Sequence, residues 1–244
     1  MASVAIQQDI QSLSNVAAEI TTNVLRGAVA DNGAAYWLLS GGTAPDNAYS
    51  ILAGSYKDLL DWKQVYVAIG DERCVPIDDP QASWPKIERG FIEPIGIPTE
   101  NRMQPKSDLP ADQAASEYDK LIAGIPANNN GIPHFDMVWL GMGEDGHTLS
   151  LFPGNPSLNN NESLVVDVHN APKLPQDRIS LTLKALGNTS NCLILVAGIE
   201  KGETMQKVFD GDDSYPINRA IGAIEAGGGK VTWLLDEAAS SFIT

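Results

Sequence analysis

Four times along this chain a short apolar run ends in a glycine-containing loop. "AYWLLS" (35–40) leads into "GGTAP", and "VYVAI" (65–69) into "GDERCVP". "FDMVWL" (135–140) leads into "GMGEDGHT", and "CLILVA" (192–197) into "GIEKGE". Apolar runs of this length read as strands buried on both faces. Segments with helical spacing separate them, so strands alternate with helices across the chain. That alternation predicts an α/β fold: a doubly wound, mostly parallel sheet with helices on both faces, a Rossmann-like three-layer sandwich. In such sheets ligands bind beyond the carboxyl ends of the strands. The four loops are therefore expected to face one crevice.

The remaining punctuation divides the chain further. Val4, Ile6, Ile10, Leu13, Val16, Ala17, Ile20, Val24 and Leu25 fall at helical spacing, predicting a helix from 4 to about 29 that "DNG" (31–33) ends. Shorter helices are expected at 46–52, 81–93, 111–123, 199–209 and 217–226. The "GDERCVPIDDP" stretch reads as loop, and 94–110, with four prolines, as irregular chain. "LVVDV", "RISLTL" and "VTWLL" are further strand candidates, and 155–163 is the most polar insertion, expected to be a mobile loop. With neither a repeat nor a domain break, residues 1–244 are expected to form a single domain.

Composition narrows the function. Apolar residues make up 43%, enough for a substantial core, and the formal charge is −15. Such an acidic balance argues against nucleic acid as a partner. No run approaches the length of a membrane span, and "MASVAIQQDI" has neither the basic nor the apolar part of a secretory leader. A soluble, cytoplasmic protein is expected, with Cys74 and Cys192 as free thiols. A small anionic substrate remains open if a few of the 16 basic residues converge.

The loops offer candidates. Gly141 to Gly146 fit the dinucleotide pattern G-x-G-x-x-G. That reading needs a helix after the third glycine, but Pro153-Gly154 would stop one, and Asp145 would repel a pyrophosphate. The alternative makes the loop a holder for His147, with Asp145 orienting the ring and glycines at 141, 143 and 146 turning the chain tightly to expose it; Gly143 is also expected to border the substrate. An imidazole suits proton removal from water near neutral pH. "SGGTAP" has the form of an anion loop, with close backbone approach at Gly41 and Gly42 and hydroxyls on Ser40 and Thr43; a plain tight turn is the other reading. Arg73 could hold an oxyanion or phosphate, and Asp71 could take sugar hydroxyls, or the two could simply pair with each other. Arg178 and Lys201 could complete a basic cluster, though either alone reads more readily as a solvated surface charge. His134 and His169 read as ordinary surface or strand-edge residues.

Together, "SGGTAP", "GDERCVP", "FDMVWLGMGEDGHTLSLFPG", "PKLPQDRISLTLKAL" and "LILVAGIEKGE" resemble the 6-phosphogluconolactonase family. The Asp-Gly-His-Thr-x-Ser-Leu-Phe-Pro run is the specific part. The family is similar in fold to glucosamine-6-phosphate deaminase, which typically continues after the shared histidine with Ala-Phe-Asn-Glu-Pro; this chain has Leu149-Ser150-Leu151-Phe152-Pro153, so the deaminase glutamate is missing. The resemblance implies hydrolysis of 6-phospho-D-glucono-1,5-lactone in the oxidative pentose phosphate pathway, without metal or organic cofactor, by a monomer. It implies His147 as general base, Asp145 as its orienting partner, and Arg178, Lys201 and the Ser40–Thr43 amides as phosphate holders. Asp71 and Arg73 would line the sugar end. Two departures stand out: Trp84 follows Ser83 where the family usually has Asn, and Ala44 stands where a hydroxyl is common. A deaminase or isomerase of the same fold, and a sugar-phosphate sensor without turnover, are the rival expectations.

Overall fold

A computed structural model describes residues 2–243; the two end residues of the expected 1–244 domain lie outside them. The chain opens with strand β1 (Ser3–Gln7), then helix α1 (Ile10–Asn32), β2 (Ala35–Leu39), α2 (Thr43–Ser55), β3 (Val65–Ile69) and β4 (Asp71–Arg73). Helices α3 (Trp84–Ile87) and α4 (Glu93–Ile95) follow, joined through a π turn, then β5 (Arg102–Met103), α5 (Ala111–Ala123) and β6 (Phe135–Gly141). The last part holds β7 (Val165–Val168), β8 (Arg178–Leu181), β9 (Thr189–Val196), α6 (Gly202–Phe209), α7 (Pro216–Ala226), β10 (Lys230–Asp236) and α8 (Glu237–Ser240).

The main sheet has seven strands in the order β1-β10-β9-β6-β2-β3-β5, every pair parallel. This is the expected α/β architecture, with helices flanking the sheet. The order reverses between β2 and β6, so the ends of those central strands are where a crevice belongs. Trp37 and Trp139, on neighbouring central strands, meet edge to face at 4.8 Å, and Tyr49 of α2 stacks on Trp139 at 5.1 Å. The Trp139 indole N–H donates to Thr21 of α1 (2.9 Å). These contacts fix α1 and α2 against the strands whose ends carry the loops.

The local structure departs from expectation in places, for identifiable reasons. The helix expected from residue 4 starts at Ile10, because Asp9 caps it, accepting from Ser12 N at 2.7 Å. Residues 3–7 instead extend along β10 as an edge strand; Val4 and Ile6 suit either period. At the other end Gly33, at φ 77°, closes the helix as expected. The loop expected at 70–80 begins as strand β4, which pairs antiparallel with β8 in a second sheet ordered β4-β8-β7. In that register Arg73 lies opposite Arg178 and Asp71 opposite Ser180. Finally, the polar insertion at 155–163 contains a short 3-10 turn with Ser157 and Leu158 buried. Among the described residues, no helix is long and apolar enough to cross a membrane.

Candidate active site

The loops after β2, β3, β6 and β9 line one cleft of about 590 Å³. Ser40, Gly41, Gly42 and Thr43 border it from β2, Asp71 and Arg73 from β4, Gly143 and His147 from the loop after β6, and Lys201 from the loop after β9. Arg178 reaches it from β8. Every expected site residue but one therefore meets here. Asp145 stands behind His147 and does not line the cleft.

The loop after β6 turns back on itself. Gly143 N donates to the His147 carbonyl (2.8 Å), and Gly146, at φ 75°, donates to the Gly143 carbonyl (3.0 Å). No helix follows Gly146, so the helix N-terminus a dinucleotide pyrophosphate would need is missing at this place. Instead the His147 ring lies over Gly143, where a Cβ would come within 2.1 Å of the imidazole. The Gly143 amide is engaged inside the loop, so what this residue contributes is space.

The His147 Nδ1 is hydrogen-bonded to the Asp145 carboxylate, which also accepts from the His147 backbone N–H (3.2 Å). Burial alone would raise the Asp145 carboxyl; the hydrogen bond from the ring, the ring's charge and the backbone bond outweigh it, and the group lies below its ordinary value. A carboxylate on Nδ1 makes that nitrogen the protonated one and leaves Nε2 as the basic atom. Nε2 has no hydrogen-bond partner among the described residues.

Three cations converge on the cleft. Arg178 is 5% exposed, and its guanidinium donates to the carbonyls of Pro175 (3.0 Å) and Lys173 (2.9 Å). It makes no ion pair among the described residues, and burial lowers its pKa. Lys201 is likewise lowered by burial and likewise makes no ion pair, although Glu144, Glu200 and Asp236 partly offset the burial. Arg73 Nη1 donates to Gln81 O (2.8 Å) and Ser83 Oγ (2.9 Å), while its Nε is buried without a partner. Like charges opposite one another across strands destabilise a sheet, and a buried charge without a partner costs free energy. An anion in the cleft relieves both.

The anion loop is built as expected, with one change of donors. Ser40 N donates to the Tyr49 hydroxyl (3.1 Å) and Ser40 Oγ to the Gly41 carbonyl (3.2 Å), so neither is free. Helix α2 starts at Thr43, earlier than expected, and has no side-chain cap. Its first amides, at Thr43 and Ala44, are left for a ligand.

Asp71 does not pair with Arg73. Its Oδ2 accepts from Ser150 Oγ at 2.6 Å. Three residues without an assigned role in the sequence reading shape the site. Glu72 is fully buried and accepts from the backbone N–H groups of Arg73 (2.8 Å), Ser83 (2.8 Å) and Trp84 (2.5 Å). Burial raises its pKa and those bonds oppose the rise. Trp84 thus contributes its amide to this knot and its ring to the core, where it is 1% exposed. Ser150 joins Asp71 to the arginine region, and Phe152 packs on His147 with ring centroids 4.5 Å apart. The strand-end rule finds loops, and these three groups act through side-chain contacts that the rule does not address.

Neither cysteine lines the cleft. Burial, with Asp177, Glu72 and Asp167 nearby, pushes the Cys74 thiol up to about 12, and Cys192 is fully buried and raised further.

A family model described as "Glucosamine-6-phosphate isomerases/6-phosphogluconolactonase" matches residues 8–233. Among curated proteins, the chain is 31% identical over 244 residues to a 6-phosphogluconolactonase of Streptomyces coelicolor, covering 97% of this chain and 92% of that one. It is 32% identical over 250 residues to a 6-phosphogluconolactonase of Mycobacterium leprae, covering 99% and 98%. Among solved structures, 6-phosphogluconolactonase from Leishmania guyanensis superposes with a TM-score of 0.86 at 25% identity, covering 100% of this chain and 99% of that one.

Proposed function

Because the chain belongs to the glucosamine-6-phosphate isomerase/6-phosphogluconolactonase family, we propose that it hydrolyses 6-phospho-D-glucono-1,5-lactone to 6-phospho-D-gluconate, in the oxidative pentose phosphate pathway of the cytoplasm. The observation that carries this reading is one cleft holding His147, with Nε2 free, together with the buried Arg178 and the half-buried Lys201, neither of which has a carboxylate partner among the described residues. Arg178, Lys201 and the first amides of α2 hold the phosphate. That leaves the lactone carbonyl towards His147, with Asp71 and Arg73 along the sugar.

His147 Nε2 takes a proton from water as the water oxygen bonds to C1. Asp145 keeps Nδ1 protonated and stabilises the imidazolium. Negative charge builds on the carbonyl oxygen, and the nearby Arg73 guanidinium offsets it. The C1–ring-oxygen bond then breaks, and the ring oxygen takes the proton from His147. Proton removal by a placed base contributes typically ~10²–10⁴-fold, and holding the substrate through its phosphate adds to that.

The deaminase reading has less support. Residue 152, where the deaminase run places its glutamate, is a phenylalanine against the imidazole, so no carboxylate is available there to set that histidine's charge. The test is acid release from lactone generated in situ from glucose 6-phosphate. Wild-type protein should release acid well above the spontaneous rate and His147→Ala should not. Ammonia release from glucosamine 6-phosphate would instead favour the deaminase, and tight binding of 6-phosphogluconate without hydrolysis would favour a sensor.

A further inference from the structure

Phe152 is 2% exposed, yet its ring is in contact with two polar site groups. The His147 imidazole lies 4.5 Å away between centroids, inclined 43°. The Arg178 guanidinium carbon lies 5.5 Å from the same ring centroid, within cation–π range. A single phenyl ring therefore contacts both the base and a phosphate-holding cation.

The backbone that delivers this ring is tightly held. Leu149, immediately before Ser150, adopts φ 55°, a left-handed conformation rare for leucine. Its side chain fills the space where a Cβ on Gly70 would come within 2.4 Å. Leu151 N then donates to Thr148 O (3.0 Å), Ser150 N to Ser180 Oγ (3.2 Å) and Ser150 Oγ to Asp71 (2.6 Å). Within five residues of His147 the chain has reversed and been pinned to β8, the strand that Arg178 begins.

We propose that Phe152 is a positioning residue that sets the separation between the water-activating imidazole and the phosphate-holding guanidinium, and so matches the cleft to lactones bearing phosphate at that distance from the reacting carbonyl. The proposal rests on the roles given above to His147 and Arg178. A substrate gripped at both ends loses rate when the two groups shift relative to each other, and displacements near 1 Å can cost roughly 100-fold. Once the phosphate grip of Arg178 is gone, the spacing has nothing left to enforce.

A double-mutant cycle on the phosphorylated lactone tests this. Phe152→Leu should lower kcat/KM by about 10- to 100-fold in the wild-type background, mostly in kcat, but by no more than about threefold in an Arg178→Ala background. Phe152→Tyr, which keeps the ring, should stay within about threefold of wild type. Phe152→Met, of similar bulk without a ring, repeats the test should the leucine variant fail to fold, with melting curves confirming the fold of each. Equal losses in both backgrounds, or failure of the tyrosine to rescue, would reduce Phe152 to core filler and overturn the proposal, as would the absence of any loss in the wild-type background. A wild-type protein with no lactonase activity would remove the functional reading itself, and the proposal with it.

Discussion

Strand β6 carries a histidine–aspartate pair near each end, in both cases two residues apart. At its amino end His134 Nε2 lies 3.2 Å from Asp136 Oδ1, and the other carboxylate oxygen accepts from Tyr36 N at 2.8 Å. The same ring nitrogen is 3.5 Å from Ser190 Oγ. This pair clamps β2, β6 and β9 together at their starts. Beyond its carboxyl end, Asp145 holds His147 by Nδ1, and the opposite nitrogen is left free. Glycines surround the second pair and three cations lie in the same cleft; neither His134 nor Asp136 lines that cleft. The pairing chemistry is alike in both places. What separates fastener from candidate catalyst is what surrounds the ring: Asp136 and, on the neighbouring strand, Ser190 at one end of β6, glycines and a cleft holding three cations at the other.

The sharpest way to break this contrast is to remove each imidazole in turn. His147→Ala should lower lactone hydrolysis on the order of 10²–10⁴-fold with the fold retained. His134→Ala should leave kcat/KM within about twofold of wild type, since His134 lies outside the cleft and touches no group assigned to substrate. Acid release under saturating and limiting lactone measures both, and comparable losses would erase the distinction between the two ends of β6.

A smaller loss follows from crowding the upper pair without touching its chemistry. In Gly143→Ala the new Cβ would lie 2.1 Å from the imidazole, so the ring must move. Misplacement of that size should cost roughly 100-fold in kcat, along with about 1–3 kcal/mol of stability from overpacking. An unchanged kcat would mean that the ring position observed is not the working one. Smaller again is Asp145→Asn, which keeps a group of similar shape but removes the charge that stabilises the imidazolium. A drop of about tenfold in kcat is expected, consistent with a hydrogen bond to a charged partner worth about 1.5–3 kcal/mol and partly screened here by solvent.

How much of this was legible in the sequence depends on range. Apolar runs followed by glycine loops placed β2, β3, β6 and β9, and the strand-end rule put their loops in one crevice, because both are local signals read against one topological regularity. Gly33 and "ADQAASEYDKLIA" gave a helix end and a whole helix for the same reason. The misses are non-local. Nothing within "GDERCVP" says that Asp71–Arg73 will pair with a strand more than 100 residues later, yet that register is what sets Arg73 opposite Arg178. The same pairing makes Glu72, between two site residues, a fully buried acceptor of backbone N–H groups. Phe152 and Ser150 were visible as letters in the motif after His147, but their contacts arise only once Leu149 reverses the chain. His169 is exposed beside a strand, as expected; only its bracketing by Asp167 at 3.1 Å and Asp177 at 2.7 Å, across the β7–β8 hairpin, depends on pairing.

The smallest expected effect sharpens the comparison at the lower end of β6, where the pair should contribute to stability alone. The hydrogen bond that His134 donates to the Asp136 carboxylate raises the pKa of His134 above its ordinary value, with burial opposing. A group whose pKa is raised on folding binds its proton more tightly in the native state, so its contribution is complete below the unfolded value of about 6.5 and disappears as pH rises through the folded one. In His134→Gln that contribution is absent at every pH. Wild type should therefore melt above the variant by about 1–3 °C near pH 5.5, in keeping with a pair of one partly exposed and one buried side chain in a chain of this length, and the gap should close towards pH 8.5. His169 is raised as well, by its bond to Asp177, but it is present in both proteins and cancels in the difference. Differential scanning calorimetry across that range decides the matter: a gap that stays constant or widens with pH would mean that His134 acts by packing, and that the lower pair is not the protonation-linked clamp its geometry describes.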